Sequence, residues 1–234
     1  MIYFDHLPLK KDILDALAKL SIEYAFQPIF LPDGKTIYAR EALMRPTQMT
    51  VTELIEQYMK DGNLHVLEVA TYFGAMQEYV LRGYTEHVCL NSFPSERFDP
   101  DEIQAFNDYF GDMNGLGIVE LLEYPSISED ACRIKKLAAT LQDLQLAIDD
   151  YGSGLSNMDF VDLCEPDIVK IDRTLLSDLD KHADKLKNVG ELVKTFHSRG
   201  IRVVAEGVET KEEFDCLVGL DVDYFQGYYL AMPE

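Results

Sequence analysis

The sequence predicts an α/β protein, a modified TIM-type (β/α)8 barrel with the first strand antiparallel, built as one domain across residues 1–234. Three observations lead there. Residues 24–30 and 36–43 read as strands separated only by the turn signal Pro32-Asp33-Gly34, a link too short for a crossover helix, so these two strands form an antiparallel hairpin. Beyond residue 50, strand-like runs alternate with stretches of helical period, the grammar of a parallel sheet covered by helices. About eight strands in one domain of this length favour a closed barrel over an open doubly wound sheet. No GxGxxG opens a helix, which also argues against a dinucleotide fold.

The elements follow in order. Ile13, Leu14, Leu17 and Leu20 recur at helical spacing over 11–20. After the hairpin, helical periodicity covers 52–59 and 64–82, with Gly83 at the C-terminal cap. Strand three is read over 86–91. Asp99-Pro100 pairs an N-cap with a first-turn proline for a helix reaching 110. Strand four covers 117–122, and Ser126 and Glu129 have capping-box spacing ahead of a helix ending at 141. Strands five and six span 145–150 and 167–171. A helix over 186–198 leads to strand seven at 201–205, and Thr210 opens a helix to 218 before a short strand eight at 222–225.

Composition narrows the function. Against 42 Asp and Glu stand 21 Lys and Arg, a net charge of −21. That field repels polyanions and disfavours duplex nucleic acid as a partner. A small anion can still bind where metal ions invert the local potential. An apolar fraction of 47% is that of an ordinary globular protein. No apolar run is long enough to span a bilayer, and MIYFDHLPLKK lacks the pattern of a signal peptide. The cysteines at 89, 132, 164 and 216 show no CxxC spacing and suit a reducing compartment, so a cytoplasmic location is expected.

The chemistry gathers at the strand ends. The second predicted strand carries Glu41 and then Arg45; the third ends on Asn91; the fourth carries Glu120, followed by Glu123. The fifth ends on Asp149 and Asp150, the sixth on Lys170 and Asp172, the seventh on Glu206 and then Glu209, the eighth on Gln226. The C-terminal face of a barrel is where its active site is built. In DIVKID, Lys170 shares a face with Ile168 and Asp172, so it points inward; Glu41, Leu43 and Arg45 likewise share one face. Asp149-Asp150 with Gly152 and Gly154 also fits a plain solvated strand-to-loop turn, so the pair alone decides nothing. Taken together, Glu41, Asn91, Glu120, Asp149, Asp150 and Glu206 offer almost only oxygen, which suits Mg2+ or Mn2+ and not zinc. Six donors exceed what one Mg2+ takes from protein, so two ions sharing an aspartate fit better, the usual apparatus for phosphodiester hydrolysis.

At these residues the chain resembles the EAL-domain phosphodiesterases that hydrolyse cyclic di-GMP. FQPIF, REALMR with Glu41-Ala42-Leu43, LNSFPS, IVELLEY, LAIDDYGSGLSNM, DIVKID, VVAEGVET and FQGYYLAMP stand in that family's order along essentially the whole chain. The resemblance implies a barrel with an antiparallel first strand. It implies one metal ion held by Glu41, Asn91, Glu120 and Asp149, and a second held by Asp149, Asp150 and Glu206. Lys170, Glu206 and Gln226 would be catalytic, with Lys170 positioning the attacking water as the ring opens to linear pGpG. Gln27, Leu43, Arg45, Asp172 and Pro233 would contact substrate; Glu123 would brace the DDYGSG loop, and Glu209 would support the site from behind. Two Mg2+ or Mn2+ ions are the expected cofactors, with Ca2+ inhibitory. Pro46, Leu122 and Leu155 depart from the family pattern at non-ligand positions. A catalytically silent module that binds cyclic di-GMP or a protein is the alternative; a barrel acting on another phosphate ester or an enolate is a third reading. A homodimer, sensor domains and partner proteins outside this chain stay open.

Overall fold

The structure, a computed structural model, describes residues 7–111, 115–122, 128–154 and 156–234. Eight strands close into a barrel in sequence order. They are β1 (Ile22–Phe30), β2 (Ile37–Pro46), β3 (His87–Ser92), β4 (Gly117–Leu121), β5 (Gln145–Tyr151), β6 (Ile168–Ile171), β7 (Arg202–Ala205) and β8 (Tyr224–Phe225). The expected hairpin is present: β1 is antiparallel to β2 over its whole length and meets β8 antiparallel at Phe30 and Phe225. Every other neighbouring pair is parallel.

Ten α-helical segments are described, α1 (Lys11–Leu17), α2 (Val51–Lys60), α3 (Leu64–Val69), α4 (Ala75–Leu81), α5 (Pro100–Phe110), α6 (Glu129–Leu141), α7 (Met158–Cys164), α8 (Arg173–Leu176), α9 (Ala183–Ser198) and α10 (Lys211–Gly219). Asp99 and Thr210 cap α5 and α10 as their sequences imply, each in a reciprocal box with the glutamate three residues on. The cap of α6 corrects the sequence reading: Ser128 accepts from the Ala131 amide, while Ser126 lies outside the described residues. The first helix stops at Leu17, and Leu20 packs on the core from beyond its end. Helices α7 and α8 were not legible as periodicity, being short.

The stretch read as one helix over 64–82 is interrupted by a π-helical turn at Ala70–Gly74. Tyr24 from β1 supplies the cause. Its hydroxyl donates to the Ala70 carbonyl at 2.6 Å, and its ring fills the space where a side chain on Gly74 would stand, 2.8 Å from an added Cβ. A widened turn accommodates both.

The barrel interior carries one apolar layer with one residue from each strand: Ile29, Ala39, Cys89, Ile118, Ala147, Ile168, Val204 and Tyr224. Outside the barrel the core divides in two. One part joins β1–β3 to the helices before residue 111; the other joins the later strands to the helices after residue 128. The N-terminal end of the barrel is plugged by Tyr38 stacked on Tyr224 at 3.9 Å, with Arg202 donating to both hydroxyls. Cys89, Cys132, Cys164 and Cys216 are free thiols, in keeping with their spacing.

His65 ties α3 to the region of α5, with Nε2 2.8 Å from Glu102 Oε1 and Nδ1 3.6 Å from Glu96 Oε2. Glu96, and then Glu102, outweigh partial burial and raise the imidazole from 6.5 to about 9. Because the folded value is the higher one, this contribution to stability is complete below pH 6.5 and is lost as the pH rises through about 9. Thermal melts across that window are expected to fall more gently for His65→Gln than for the parent protein; parallel curves would show that the imidazole contributes nothing.

Candidate active site

Side chains alternate across a strand, so the next inward position lies two residues from the apolar layer. Along the parallel strands that step is forward, from Ala39 to Glu41, Cys89 to Asn91, Ile118 to Glu120, Ala147 to Asp149, Ile168 to Lys170, Val204 to Glu206 and Tyr224 to Gln226. Along antiparallel β1 the same step runs backward, from Ile29 to Gln27, and the register pairs Gln27 with Glu41. A single polar layer at the mouth thus holds eight residues singled out from the sequence, one for each strand.

Asp150 does not belong to that alternation. Between β5 and β6, Ile148 pairs with Val169 and Tyr151 with Ile171, so β5 holds one extra residue there. This is a β-bulge, and Asp150 sits in it with a left-handed φ of 53°. Ile148 and Tyr151 therefore both face outward, where Tyr151 packs edge-on against Phe196, while Asp149 and Asp150 are both delivered to the mouth. The loop beyond is tight. Gly152 donates to the Ser156 carbonyl, Ser156 Oγ donates to the Asp149 carbonyl at 2.9 Å, and an added Cβ on Gly152 would stand 2.2 Å from Leu175.

At the centre is the Lys170 ammonium, almost fully buried. Its Nζ lies 2.7 Å from Glu206 Oε1, 2.9 Å from Glu120 Oε1, 2.9 Å from Asp149 Oδ1 and 3.1 Å from Glu41 Oε2. Burial pulls the ammonium pKa down, but Asp149, Glu120, Glu206 and Glu41 together hold it well above the ordinary lysine value. Burial pushes Glu120 well above the usual carboxylate range, and the charges of Glu41 and Asp149 add to it. Burial also raises Glu206, beyond what Lys170 can offset. Glu41 shifts the other way: burial is outweighed by Lys170 and by hydrogen bonds from Gln226 and Asn91. Gln226 Nε2 donates to Glu41 Oε2 at 2.7 Å and to Gln27 Oε1 at 3.2 Å, which links the two ends of the chain across the mouth.

The donor set fits divalent cations. Glu120 Oε2 is buried without a hydrogen bond among the described residues, and Glu120 Oε1 and Asp149 Oδ1 meet only the shared Lys170 ammonium, an arrangement that costs free energy unless something else satisfies them. Carboxylate oxygens of Asp149, Asp150 and Glu206 lie within 4.8 Å of one another. All of these are hard oxygen donors, the chemistry Mg2+ and Mn2+ select.

The remaining residues fall into place unevenly. Leu43, Asp172 and Glu209 line the mouth cavity of about 370 Å3 with Gln27 and Gln226. Asp172 also caps α8 by accepting from the Thr174 amide. Sharing a face with Glu41 does not bring Arg45 into this cavity: it is exposed and donates to the neighbouring Met44 carbonyl. Pro233 is half-buried and also outside the cavity lining, beside Glu234, whose backbone pairs with Phe26 of β1. Glu123 and Leu155 lie outside the described residues.

One residue escaped the sequence reading. Arg173 donates to the Gly207 carbonyl and to Glu209 Oε2 at 2.7 Å, and reaches Glu213 Oε2 at 3.4 Å. It thereby holds the loop that follows Glu206. The only available signal was an arginine directly after KID and a glutamate-rich stretch at 206–213. That loop also packs on the one after β8, where an added Cβ on Gly227 would fall 2.1 Å from the Val208 carbonyl oxygen, so only glycine fits.

A family model described as the EAL domain matches residues 100–233, more than half of the chain. The chain belongs to the EAL domain family. The tripeptide Glu41-Ala42-Leu43 lies outside the matched span, but structural similarity extends over it. An EAL protein of Vibrio cholerae O395, described as standalone and solved with c-di-GMP bound, superposes with a TM-score of 0.83 at 25% identity, covering 92% of this chain and 93% of that one. A manganese and cyclic di-GMP complex of Klebsiella pneumoniae BlrP1 superposes with a TM-score of 0.77 at 25% identity, covering 98% of this chain and 57% of that one. The probable cyclic di-GMP phosphodiesterase PdeG of Escherichia coli K12 is 26% identical over 170 residues, 71% of this chain and 33% of that protein. The EAL chain spans about half or less of the length of the curated relatives it matches. No helix among its described residues is long and apolar enough to cross a membrane.

The buried carboxylate of Glu120 gives a direct test. Glu120→Gln nearly preserves shape and removes one charge from a repelling group. The melting temperature of the metal-free protein is expected to stay level or rise. Mn2+ affinity by calorimetry should fall by more than ~10-fold, a loss already typical of groups that only orient ligands. A lower metal-free melting temperature with unchanged Mn2+ affinity would assign Glu120 a structural role.

Proposed function

We propose that this EAL chain hydrolyses cyclic di-GMP to linear pGpG, using two Mg2+ or Mn2+ ions. The observation that carries the proposal is the charge of the mouth. Glu41, Glu120, Asp149, Asp150 and Glu206 bring five carboxylates against one ammonium, Lys170, an excess of four negative charges that two divalent cations would balance. Glu41, Asn91, Glu120 and Asp149 would hold one ion, and Asp149, Asp150 and Glu206 the other. When bound, the ions supply an activated water and withdraw charge from the phosphodiester.

The chain's own residues do the rest. Lys170, already facing the mouth, lies where negative charge develops on the attacked phosphate and offsets it without reorganising. Gln226 keeps Glu41 oriented through its 2.7 Å hydrogen bond and presents its amide beside the same space. Glu206 holds Lys170 from the side of β7, and Arg173 and Glu209 steady the loop behind it. Gln27, Leu43 and Asp172 line the wall against which a nucleotide half would rest. Arg45 and Pro233 stand further out and would meet only a ligand that extends past the cavity; Arg45, being exposed, retains a free face of its guanidinium for a phosphate.

Incubation with cyclic di-GMP and Mg2+ or Mn2+, followed by chromatography, is expected to yield linear pGpG, with loss of activity in EDTA. Ca2+ should inhibit, since its longer, looser coordination spoils a closely paired site. Turnover that persists in excess EDTA would overturn the metal mechanism. Binding of cyclic di-GMP with no product in either metal would make the chain a receptor module.

A further inference from the structure

A second cavity, of about 450 Å3, lies outside the barrel between α5 and α6 against the outer side of β3 and β4. It is larger than the mouth cavity and falls in the range of about 300–1,000 Å3 typical of small-molecule sites. None of the residues assigned to the active site lines it. Its inner walls are largely apolar, including Leu90, Ile103, Phe106, Val119, Ala138 and Leu144, with the exposed Arg97, Asn107 and Asp108 adding polar groups further out. Of the four charged side chains in the lining, Arg97 and Asp108 are exposed, while Glu68 and Lys135 stand within the core, both more than nine-tenths buried. Lys135 Nζ donates to Glu68 Oε1 at 2.7 Å and to Ser92 Oγ at 2.6 Å, and Glu68 Oε2 accepts the Phe93 amide at 2.9 Å. An ammonium has three N–H groups, so among the described residues one donor of this buried lysine is unused.

We propose that this cavity is a regulatory site for a small, neutral, largely apolar molecule carrying one hydrogen-bond acceptor, such as an alkyl or acyl chain ending in a carbonyl. The walls select the apolar body, and the spare N–H of Lys135 selects the acceptor. Charge decides against a carboxylate. Glu68 already balances Lys135, and Asp108 offsets the exposed Arg97, so a further buried carboxylate would stay uncompensated, in a chain of net charge −21. An amine would place a cation beside Lys135 and is disfavoured for the same reason.

Regulation follows from the position of the cavity. Ser92, which accepts from Lys135, directly follows Asn91; Val119, in the wall, directly precedes Glu120. Successive residues of a strand face opposite sides, so the cavity and two of the proposed metal ligands sit back to back on β3 and β4. A ligand that fixes these strands changes metal affinity, and metal changes ligand affinity by the same factor. This half of the proposal rests on the metal-site reading above; the binding half does not.

The test titrates the protein with octyl methyl ketone and with decanoate by ligand-observed NMR, and then with Mn2+ by calorimetry, with and without the ketone. Saturable ketone binding is expected, at least about tenfold tighter than decanoate. Ala138→Phe fills the cavity without touching Lys135 or Glu68 and should weaken ketone binding by about tenfold or more while the protein still melts cooperatively. Lys135→Met should narrow the preference for the ketone over decanoate. Absence of saturable ketone binding, decanoate binding as tight as the ketone, or Ala138→Phe binding like the parent overturns the site. Ketone binding with unchanged Mn2+ affinity overturns its regulatory role. A protein that takes the ketone but no Mn2+ leaves the site standing and removes the metal reading instead.

Discussion

The mouth of the barrel depends on one buried ammonium. Four carboxylates within about 3 Å of Lys170 Nζ would repel one another and lose their hydration if left alone. Lys170 offsets part of that cost, and the upward shifts of Glu120 and Glu206 offset more by favouring bound protons. Removing the ammonium from such a buried group generally costs ~3–5 kcal/mol, because the carboxylates are left uncompensated. The apolar layer directly below, with Ala147 and Ile168 beneath Asp149 and Lys170, excludes water and makes these interactions strong. The barrel can thus close around its acidic centre using groups of its own, with more carboxylates there than Lys170 alone balances.

Much of this was legible because strand geometry has a period of two. The alternation in DIVKID places Lys170 inward, and the coincidence of polar residues at successive strand ends places Glu41, Asn91, Glu120, Asp149, Glu206 and Gln226 in one layer; the structure brings them together as read. What alternation cannot give is its own interruption. Two adjacent aspartates should face opposite sides, and only the extra residue in β5 lets Asp149 and Asp150 share the mouth. Arg45 shows the opposite limit: being on the right face says nothing about reach, and its strand carries it beyond the cavity. Capping spacing was ambiguous before α6, where two serines lie close together and Ser128 takes the role. The π-helical turn after α3 was invisible because its cause, Tyr24, lies on a different element. Arg173 was missed for a similar reason, since its partners at Gly207, Glu209 and Glu213 are distant in sequence.

The two ends of the barrel are built on different physics. The N-terminal end is closed by aromatic stacking and a shared arginine, which tie β2, β7 and β8 together. The C-terminal end is open, acidic and framed by loops that hold one another: Arg173 after β6 grips the loop after β7, which packs on the loop after β8 at Gly227. Two of the strands end one residue short of Glu206 and Gln226, so these contacts between loops frame the mouth where the strands stop.

The reversed direction of β1 has a topological meaning. In an all-parallel barrel the chain enters the first strand at the closed end, far from the chemistry. Here it enters β1 at Ile22, on the open side, and reaches Gln27 before it descends to the apolar layer at Ile29. The outer edge of that strand is also gripped at Phe26 by the backbone of Glu234. The start of β1 is therefore only a few residues from Gln27, which is joined through Gln226 to Glu41 and so to the acidic centre. Reversal of one strand thus brings the chain's entry into the barrel to the same end as its acidic centre.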